Sequence, residues 1–445
     1  AYEVVQQNQM KLTGKFDKSF SNACWIIGCK LIKAVLTLVT TMITARYLGV
    51  SDFGVINYAA GLVAFVVPIM KLGIDSVLVH QIVEKPDAEG EIMGTSIVLN
   101  LASAFLCMLG IGAFVCIANR GEEETIIVCV IYSVLLVFQA VEMLQYWFQA
   151  KLMSKYSSIA MLCAYIVVAA VQILMIVFKV NIYWFALSYS IDYLFISLIL
   201  MIAYAKKGSQ KFKFSFKRAK ELFSISKYYI VSSLLVTVFS QTDRIMLKLM
   251  IDSEATGIYA AAATCAGMTS FVFAAIIDSM RPVIFQVAKD EDKTAFHKKM
   301  TELYSVIIYF SLIQCVVITL LSPIIIKIMY GDEFVASVDA LRIVVWFTTF
   351  SYLGSVRNVW MLAENKQKYL WIINLSGALG NVILNLILIP IMGVNGAAVA
   401  SLCTQIFANV IIGYIVRPIS FNNKLMVRGL NPKHIVDMIK SIRKK

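Results

Sequence analysis

Three charged residues interrupt a largely apolar stretch near the middle of the chain. Residues 238–250 have the sequence VFSQTDRIMLKLM, in which Asp243, Arg244 and Lys248 stand among Phe, Ile, Met and Leu side chains. A charge in a hydrocarbon environment costs about 2.5–3.5 kcal/mol on insertion scales, so such residues usually face protein or water and have a function. A guanidinium binds phosphate or carboxylate through paired N–H donors, and an ammonium acts as a compact positive charge. The stretch therefore predicts a site that binds an anion.

Charges of this kind recur in other apolar segments, where basic residues outnumber acidic ones. A lining of one sign concentrates ligands of the opposite sign, so the surplus favours an anionic substrate. The acidic residues are Glu142, Asp192, Asp243, Asp278 and Asp339. The candidate substrate-binding cations are Lys30, Lys33, Arg46, Arg244, Lys248, Arg281, Arg342 and Arg357.

Two pairs of these charges also have a structural interpretation. Asp278 with Arg281, and Asp339 with Arg342, are three residues apart on predicted helices. Side chains at that spacing are neighbours on a helix surface and can neutralise each other. Substrate binding and mutual neutralisation both stay open for these four residues at this point.

Other charges have structural alternatives as well. Asp243 and Arg244 would form a pair at a helix end, and Glu142 among glutamines would form an interhelical hydrogen-bond network. Long basic side chains near a membrane interface can extend to the lipid headgroups. That alternative applies to Lys30, Lys33, Arg46 and Lys248.

The elements that position these residues are long apolar helices. The chain has 445 residues, of which 60% are hydrophobic and 15% charged, whereas a soluble protein typically has about 45–50% and 25%. A helix needs about 20 apolar residues to cross the hydrocarbon core, and the short alternating segments of a barrel are absent from the sequence. We therefore predict an all-α integral membrane protein with twelve transmembrane helices. The predicted spans are 23–48, 54–74, 92–118, 126–150, 157–178, 182–205, 226–250, 256–280, 303–329, 335–362, 369–391 and 394–416.

The distribution of Lys and Arg predicts the orientation in the membrane. With the N-terminus in the cytoplasm, the segments on the inner side hold 29 of these residues and the outer loops hold four. Such a bias marks the cytoplasmic side. We therefore expect both termini in the cytoplasm, and the net charge of +13 is mainly a topology signal. Because no soluble basic domain is visible, we do not expect a nucleic-acid partner.

The sequence divides into two related halves of six spans. LGVSDFGVINYAA (48–60) and MIDSEATGIYAAAA (250–263) are short acidic connections that align when Gly54 is matched to Gly257, an offset of 203 residues. Six spans per repeat keep the same sidedness, which predicts two lobes related by a pseudo-two-fold axis along the membrane normal. The predicted division is an N-lobe at 1–205, a basic cytoplasmic linker at 206–222, a C-lobe at 223–416 and a basic cytoplasmic tail at 417–445.

The first helix of each half carries a polar stripe within about one third of its circumference. In the first half the stripe comprises Lys30, Lys33, Thr37, Thr40, Thr41 and Thr44. In the second half it comprises Ser233, Thr237, Ser240, Gln241, Arg244 and Lys248. The same offset of 203 places the stripes on corresponding faces. We therefore expect both stripes to line one shared cavity.

Several classes of chemistry lack their sequence signatures. The chain has neither a GxxxxGK[ST] phosphate-binding loop nor an HExxH zinc motif, and its three histidines lie outside the predicted spans. We therefore expect no metal site, no bound cofactor and no enzymatic activity. A membrane-embedded glycan polymerase or ligase stays an alternative.

Three segments resemble one family of membrane transporters. ARYLGVSDFGVINYA (45–59), QTDRIMLKLMIDSEATGIYAAA (241–262) and ENKQKYLWIINLSGALGNVILNLILIPIMGVNGAAVAS (364–401) are similar to the polysaccharide-transporter family. This family includes O-antigen and capsular repeat-unit flippases, and it belongs to the multidrug/oligosaccharidyl-lipid/polysaccharide exporter superfamily. The resemblance covers nearly the whole chain and implies two six-helix lobes in a V that open alternately to either side of the membrane.

The resemblance also implies a substrate and partners. Flippases of this kind move oligosaccharide repeat units linked to undecaprenyl pyrophosphate from the cytoplasmic to the outer leaflet of the bacterial inner membrane, in contact with membrane lipid and with glycan polymerase machinery. It implies coupling to a proton or sodium gradient, for which Glu142, Asp192 and Asp243 are the candidate carriers. A cation-coupled multidrug exporter of the same superfamily is the main alternative function.

Overall fold

The structure is a computed structural model of the chain. It describes the backbone of residues 2–208, 210–289 and 292–433, and the side chains of residues 28, 29, 31–208, 210–289 and 292–433. Within these ranges the regular structure is helical and no strand occurs. The prediction of an all-α membrane protein is therefore confirmed.

The helices follow the predicted spans closely. In the first part of the chain they are α1 (Tyr2–Met70), α2 (Asp75–Glu84), α3 (Glu89–Ala118), α4 (Glu123–Ser133), α5 (Leu135–Glu142), α6 (Leu144–Ala150), α7 (Ser154–Val177) and α8 (Ile182–Lys207). In the second part they are α9 (Phe216–Met250), α10 (Ser253–Gly267), α11 (Ser270–Lys289), α12 (Lys293–Tyr330), α13 (Ser337–Ala363), α14 (Leu370–Met392), α15 (Val394–Ile406), α16 (Ile412–Ile415) and α17 (Ser420–Gly429). A π-helical turn, Phe407–Ile411, joins α15 to α16.

Ten stretches of the described residues are long and apolar enough to cross a membrane. One of them, Leu31–Glu84, has 54 residues and contains most of the predicted span 1 and all of span 2, separated by a kink at Gly49 with φ of 77°. The predicted span 10 coincides with α13, which is not among the ten and carries Asp339, Arg342 and Arg357. The chain is therefore a multi-span membrane protein, and the count of twelve stays a prediction.

The chain forms two compact units whose limits are not those of the predicted lobes. Unit 1 comprises residues 1–48 and 59–234, and unit 2 comprises residues 49–58 and 235–445. The segment 206–222, predicted as a linker, lies within unit 1. The predicted division of the chain into an N-lobe, a linker, a C-lobe and a tail stays a prediction.

The segment after α8 is bound to the first turns of α3. The Lys213 amide donates to the Gly90 carbonyl over 3.1 Å, and the Gly90 amide donates to Gln210 Oε1 over 3.0 Å. The backbone of Lys211 and Lys213 lies so close to Gly90 and Gly94 that neither glycine has room for a Cβ atom. These contacts explain why a polar, basic segment belongs to the first unit.

Each unit has an apolar core of its own. In unit 1, Trp147, Phe148 and Leu78 are among the largest side chains with almost no exposed surface. In unit 2 the core includes Tyr304 and Trp360, and elsewhere in it the rings of Phe273 and Tyr352 stack with centroids 4.1 Å apart. Burial of such aromatic surface stabilises each unit.

The two aligned glycines of the internal repeat meet inside unit 2. A Cβ atom on Gly54 would collide with the Ser253 carbonyl and the Gly257 amide, and one on Gly257 would collide with the Val50 carbonyl and approach the Gly54 amide. The offset of 203 maps Val50 onto Ser253 and Gly54 onto Gly257. The contact is therefore reciprocal, as expected for matching segments related by a local two-fold axis. It supports the alignment of the two halves independently of the sequence.

This contact predicts a specific cost for adding one methyl group. Gly257→Ala drives a Cβ atom into backbone that cannot rotate away, so we expect destabilisation of about 1–3 kcal/mol. Gly267→Ala is the matched control on the same helix, because a Cβ atom there meets no atom within 4 Å. Thermal melting of the purified protein in detergent measures both. Equal melting temperatures for the two variants would contradict the close packing described.

Candidate functional site

The Asp243 carboxylate lies at the centre of a buried hydrogen-bond network. Asn381 and Asn385 donate from Nδ2 to its Oδ1 over 3.1 and 2.7 Å, and the hydroxyl groups of Tyr259 and Ser401 donate to its Oδ2. All five side chains belong to residues that are at most 6% exposed. Four donors on two oxygens satisfy a carboxylate well. Asp243 is therefore held within the protein, and the alternative of a simple helix-end pair with Arg244 does not describe its contacts.

Local sequence features bring the four partners to Asp243. Asn381 and Asn385 are four residues apart on α14 and therefore share one face of that helix. Gly393, with φ of 60°, reverses the chain so that α15 returns along α14 and presents Ser401. Tyr259 comes from α10, whose first turn is capped by the Asp252 side chain accepting from the Ala255 amide over 2.8 Å.

The network consists of carboxylate, amide and hydroxyl groups, and each of the four neighbours donates to the Asp243 carboxylate. Within the described ranges, no group of three or more His, Cys, Asp or Glu side chains is placed to hold a metal ion. The sequence pattern indicated Asp243 and not its partners Tyr259, Asn381, Asn385 and Ser401. The available signal was the i,i+4 pair of asparagines inside an apolar span.

A second polar feature of unit 2 is the buried guanidinium of Arg357. Its Nη1 donates to the Ala408 carbonyl over 2.8 Å, and the residue is 4% exposed. Arg357 lines a cavity of about 200 Å³ together with residues of α9, α13 and α14 and of the chain from Gln405 to Asn409.

In unit 1, Lys33 lies at a cavity of about 190 Å³. Its Nζ stands 4.9 Å from the centre of the Tyr165 ring, a cation–π arrangement. Gln145, Gln149 and Ser157 line the same cavity. An ammonium surrounded by amide and hydroxyl groups offers one positive charge and several hydrogen bonds to a polar ligand.

The two acidic candidates of unit 1 lie near this lysine. Glu142 is half-buried, bonds with Gln145, and has Lys33, Lys71 and Asp192 as its charged neighbours. Asp192 is 8% exposed, and its Oδ1 has no hydrogen-bond partner within the described ranges. The charges of Lys33, Glu142 and Asp192 therefore lie close enough to interact with one another.

The remaining predicted cations have varied surroundings. Arg281 pairs with Asp278 over 3.2 Å, and Arg342 pairs with Asp339 over 3.1 Å. Both pairs are exposed, so the structural alternative of mutual neutralisation describes their contacts. Lys248 is buried, Arg244 is half-buried and Arg46 is exposed. The side chain of Lys30 lies outside the described residues. That the two polar stripes share one cavity stays a prediction.

Comparison of the sequence with protein families gives two matches. A family described as "Polysaccharide biosynthesis protein" matches residues 19–288, which is more than half of the chain. The chain belongs to this polysaccharide biosynthesis protein family. The MatE family matches residues 229–387. No protein of curated function matches the chain significantly.

Solved structures show how this family member folds. The lipid II flippase MurJ in an inward closed conformation has a TM-score of 0.67 at 14% identity, over 93% of this chain and 92% of that chain. An inward-facing multidrug resistance MATE family transporter of the MOP superfamily has a TM-score of 0.60 at 13% identity, over 90% and 95%. An outward-facing transporter of the same description has a TM-score of 0.58 at 12% identity, over 92% and 96%.

These neighbours are named as a lipid II flippase and as multidrug transporters of the MOP superfamily. The polysaccharide biosynthesis family member therefore shares its fold with these proteins. Because the identities are 12–14%, the neighbours define the fold and leave the substrate open.

The Asp243 network predicts the effect of removing one hydroxyl. Ser401→Ala removes a donor to Asp243 and the acceptor of Asn381 Nδ2, which lies 3.2 Å from Ser401 Oγ. A hydrogen bond to a charged group contributes about 1.5–3 kcal/mol, so the loss of the bond to Asp243 should lower the melting temperature. Ser376→Ala is the control, because the Ser376 hydroxyl bonds its own helix at the Ile373 carbonyl. If both variants melt together, Ser401 is not part of the network that stabilises unit 2.

Proposed function

We propose that the chain is a flippase for lipid-linked oligosaccharides. It moves a repeat unit attached to undecaprenyl pyrophosphate from the cytoplasmic to the outer leaflet of the bacterial inner membrane. The observation that carries this proposal is the match of residues 19–288 to a polysaccharide biosynthesis family on a transporter fold. A lipid-linked saccharide is the form in which polysaccharide precursors meet a membrane, and the structural neighbour MurJ is named as a lipid II flippase.

The charges of the two units support an anionic cargo. Lys33 in unit 1 and Arg244 in unit 2 belong to the two aligned polar stripes. An ammonium and a guanidinium both bind phosphate, the second through paired donors. We propose that these two residues hold the pyrophosphate, with Lys30, Arg46, Lys248, Arg281 and Arg342 as further candidate cations. The polyprenyl chain stays in the lipid.

The membrane potential favours the proposed direction. On the orientation expected from the Lys and Arg bias, the cargo moves from a negative interior to the outer side. An anion that crosses the field uncompensated gains about 2.3 kcal/mol per charge per 100 mV. Outward movement of a pyrophosphate-linked lipid is therefore downhill in the field.

Multidrug export is a second candidate function, because the MatE family matches residues 229–387. Efflux of a cationic rhodamine dye by the purified protein in liposomes would support it. A cationic drug gains little from a binding surface rich in lysine and arginine, which repels its charge. The flippase proposal is therefore preferred.

Transport in liposomes tests the flippase proposal directly. We expect the purified protein to move a fluorescent undecaprenyl-pyrophosphate disaccharide between leaflets, measured by quenching from one side. Lys33→Ala and Arg244→Ala each remove a charge-assisted contact worth about 1.5–3 kcal/mol, so each rate should fall at least tenfold. Arg120→Ala and Lys327→Ala are controls, because both residues are exposed and outside the proposed site. A wild-type protein that transports the rhodamine dye and not the lipid would refute the proposal.

Ion coupling is proposed to act through a carboxylate within the membrane, with Asp243 first and Glu142 and Asp192 as the others. Asp243→Asn keeps the shape of the side chain and removes its charge. We expect the variant to lose any dependence of the transport rate on an imposed sodium or proton gradient, because no charge is left to exchange. The assay compares rates with and without each gradient. Retention of full gradient dependence would exclude Asp243 as the carrier.

A further inference from the structure

The cavity at Arg357 is a distinct feature of unit 2. It has a volume of about 200 Å³, smaller than the roughly 300–1,000 Å³ of sites for drug-sized ligands. Besides Arg357, six polar residues line it: Ser351, Ser355, Asn358, Asn374, Gln405 and Asn409. Phe239, Val236 and Ile373 supply an apolar surface at the same cavity. A cavity of this size and composition suits one small polar group rather than a whole oligosaccharide.

A π-helical turn positions the guanidinium. The Ile412 amide bonds the Phe407 carbonyl, five residues back, where an α-helix would use the Ala408 carbonyl. The Ala408 carbonyl accepts from Arg357 Nη1 instead. The Val410 carbonyl accepts from the Asn423 side chain over 2.7 Å. Turns of this type are frequent at functional sites, and here the turn fixes the place of Arg357.

Arg357 has unused binding capacity. Its Nε is buried and makes no hydrogen bond, and no acidic side chain of the described ranges pairs with the guanidinium. A backbone carbonyl is a dipole and cannot neutralise a full charge. Burial of an unpaired charge costs several kcal/mol. An anion that enters the cavity during function would compensate the cost of burying this charge.

The chemistry of the cavity distinguishes between possible anions. One guanidinium matches one planar carboxylate through two parallel N–H···O bonds. A pyrophosphate carries more than one negative charge, and Arg357 is the only cation among the residues that line the described cavity. The amide and hydroxyl groups around it donate to and accept from sugar hydroxyls.

We infer that this cavity binds a single acidic sugar of the repeat unit, with Arg357 holding its carboxylate. The inference rests on the proposed flippase function and adds a substrate class to it. The pyrophosphate end of the cargo is assigned to other cations, so the two ends of one lipid-linked molecule are recognised separately. Arg357 thereby selects repeat units that contain a uronic acid.

Binding of free sugars to the purified protein tests the cavity itself. We expect D-glucuronate to bind at least tenfold more tightly than D-glucose by calorimetry, and Arg357→Gln to remove that preference. Arg357→Lys keeps the charge and loses the paired donors, so it should retain part of it. Equal glucuronate affinity in wild type and Arg357→Gln would overturn the inference. Inorganic pyrophosphate that displaces glucuronate with equal affinity would assign the cavity to phosphate and overturn it too.

A second variant covers the case in which Arg357→Gln does not fold. Ser355 lines the same cavity, is exposed, and bonds the Ser351 carbonyl of its own helix over 3.2 Å. Ser355→Trp fills the cavity and leaves the bond from Arg357 to Ala408 in place. We expect it to melt normally and to lose glucuronate binding. Normal glucuronate binding by this variant would overturn the inference.

Transport separates this inference from the proposed function. Two undecaprenyl-pyrophosphate disaccharides, one neutral and one ending in glucuronate, are compared in liposomes. We expect Arg357→Gln to lower the ratio of the acidic to the neutral rate at least tenfold, and Arg120→Ala to keep the wild-type ratio. A wild-type protein that moves neither lipid contradicts the flippase function. A wild-type protein that moves both, with a ratio unchanged by Arg357→Gln, contradicts only the acidic-sugar site.

Discussion

The second unit depends on the hydrogen bonds that four neighbouring side chains donate to the Asp243 carboxylate. A charged group among apolar helices must have its acceptor sites filled from within the protein, because lipid offers no donors. Four helices meet this demand: α9 contributes the carboxylate, and α10, α14 and α15 contribute the donors. Hydrogen bonds are directional, so they fix the rotation of these helices more narrowly than apolar packing does. The network therefore has a structural role in unit 2.

The second buried charge of unit 2, Arg357, is satisfied less completely. Its guanidinium has several N–H donors, and a π-helical turn supplies one carbonyl to accept from them. Asp243 accepts from four neighbours, whereas Arg357 keeps an unpaired Nε beside a cavity. One unit thus holds two buried charges in different states. The hydrogen bonds of Asp243 are filled by protein groups, whereas Arg357 keeps a donor without a partner beside a cavity.

Residue patterns predicted the helical class and gave the i,i+3 ion pairs as one of two interpretations, because both depend on neighbours along the chain. Asn381, Asn385 and Ser401 were not predictable as partners of Asp243, since 138 to 158 residues separate them from it and only tertiary packing brings them together. The π-helical turn was missed because its residues, FANVI, carry no signature that separates them from an ordinary helix. The basic segment 206–222 has the composition of a free linker, yet its backbone is hydrogen-bonded to Gly90. Composition predicts the exposure of side chains, but it does not predict which neighbour the backbone binds.

The contact between Gly54 and Gly257 constrains the matching connections of both halves of the sequence. Each glycine faces the backbone of the segment that carries the other, so neither position can gain volume while its counterpart stays in place. An insertion of one residue in either connection would turn its glycine by about 100° around the helix and expose a side chain to the opposite backbone. The lengths of the two connections are therefore coupled, because a change in one fits only when the other changes with it.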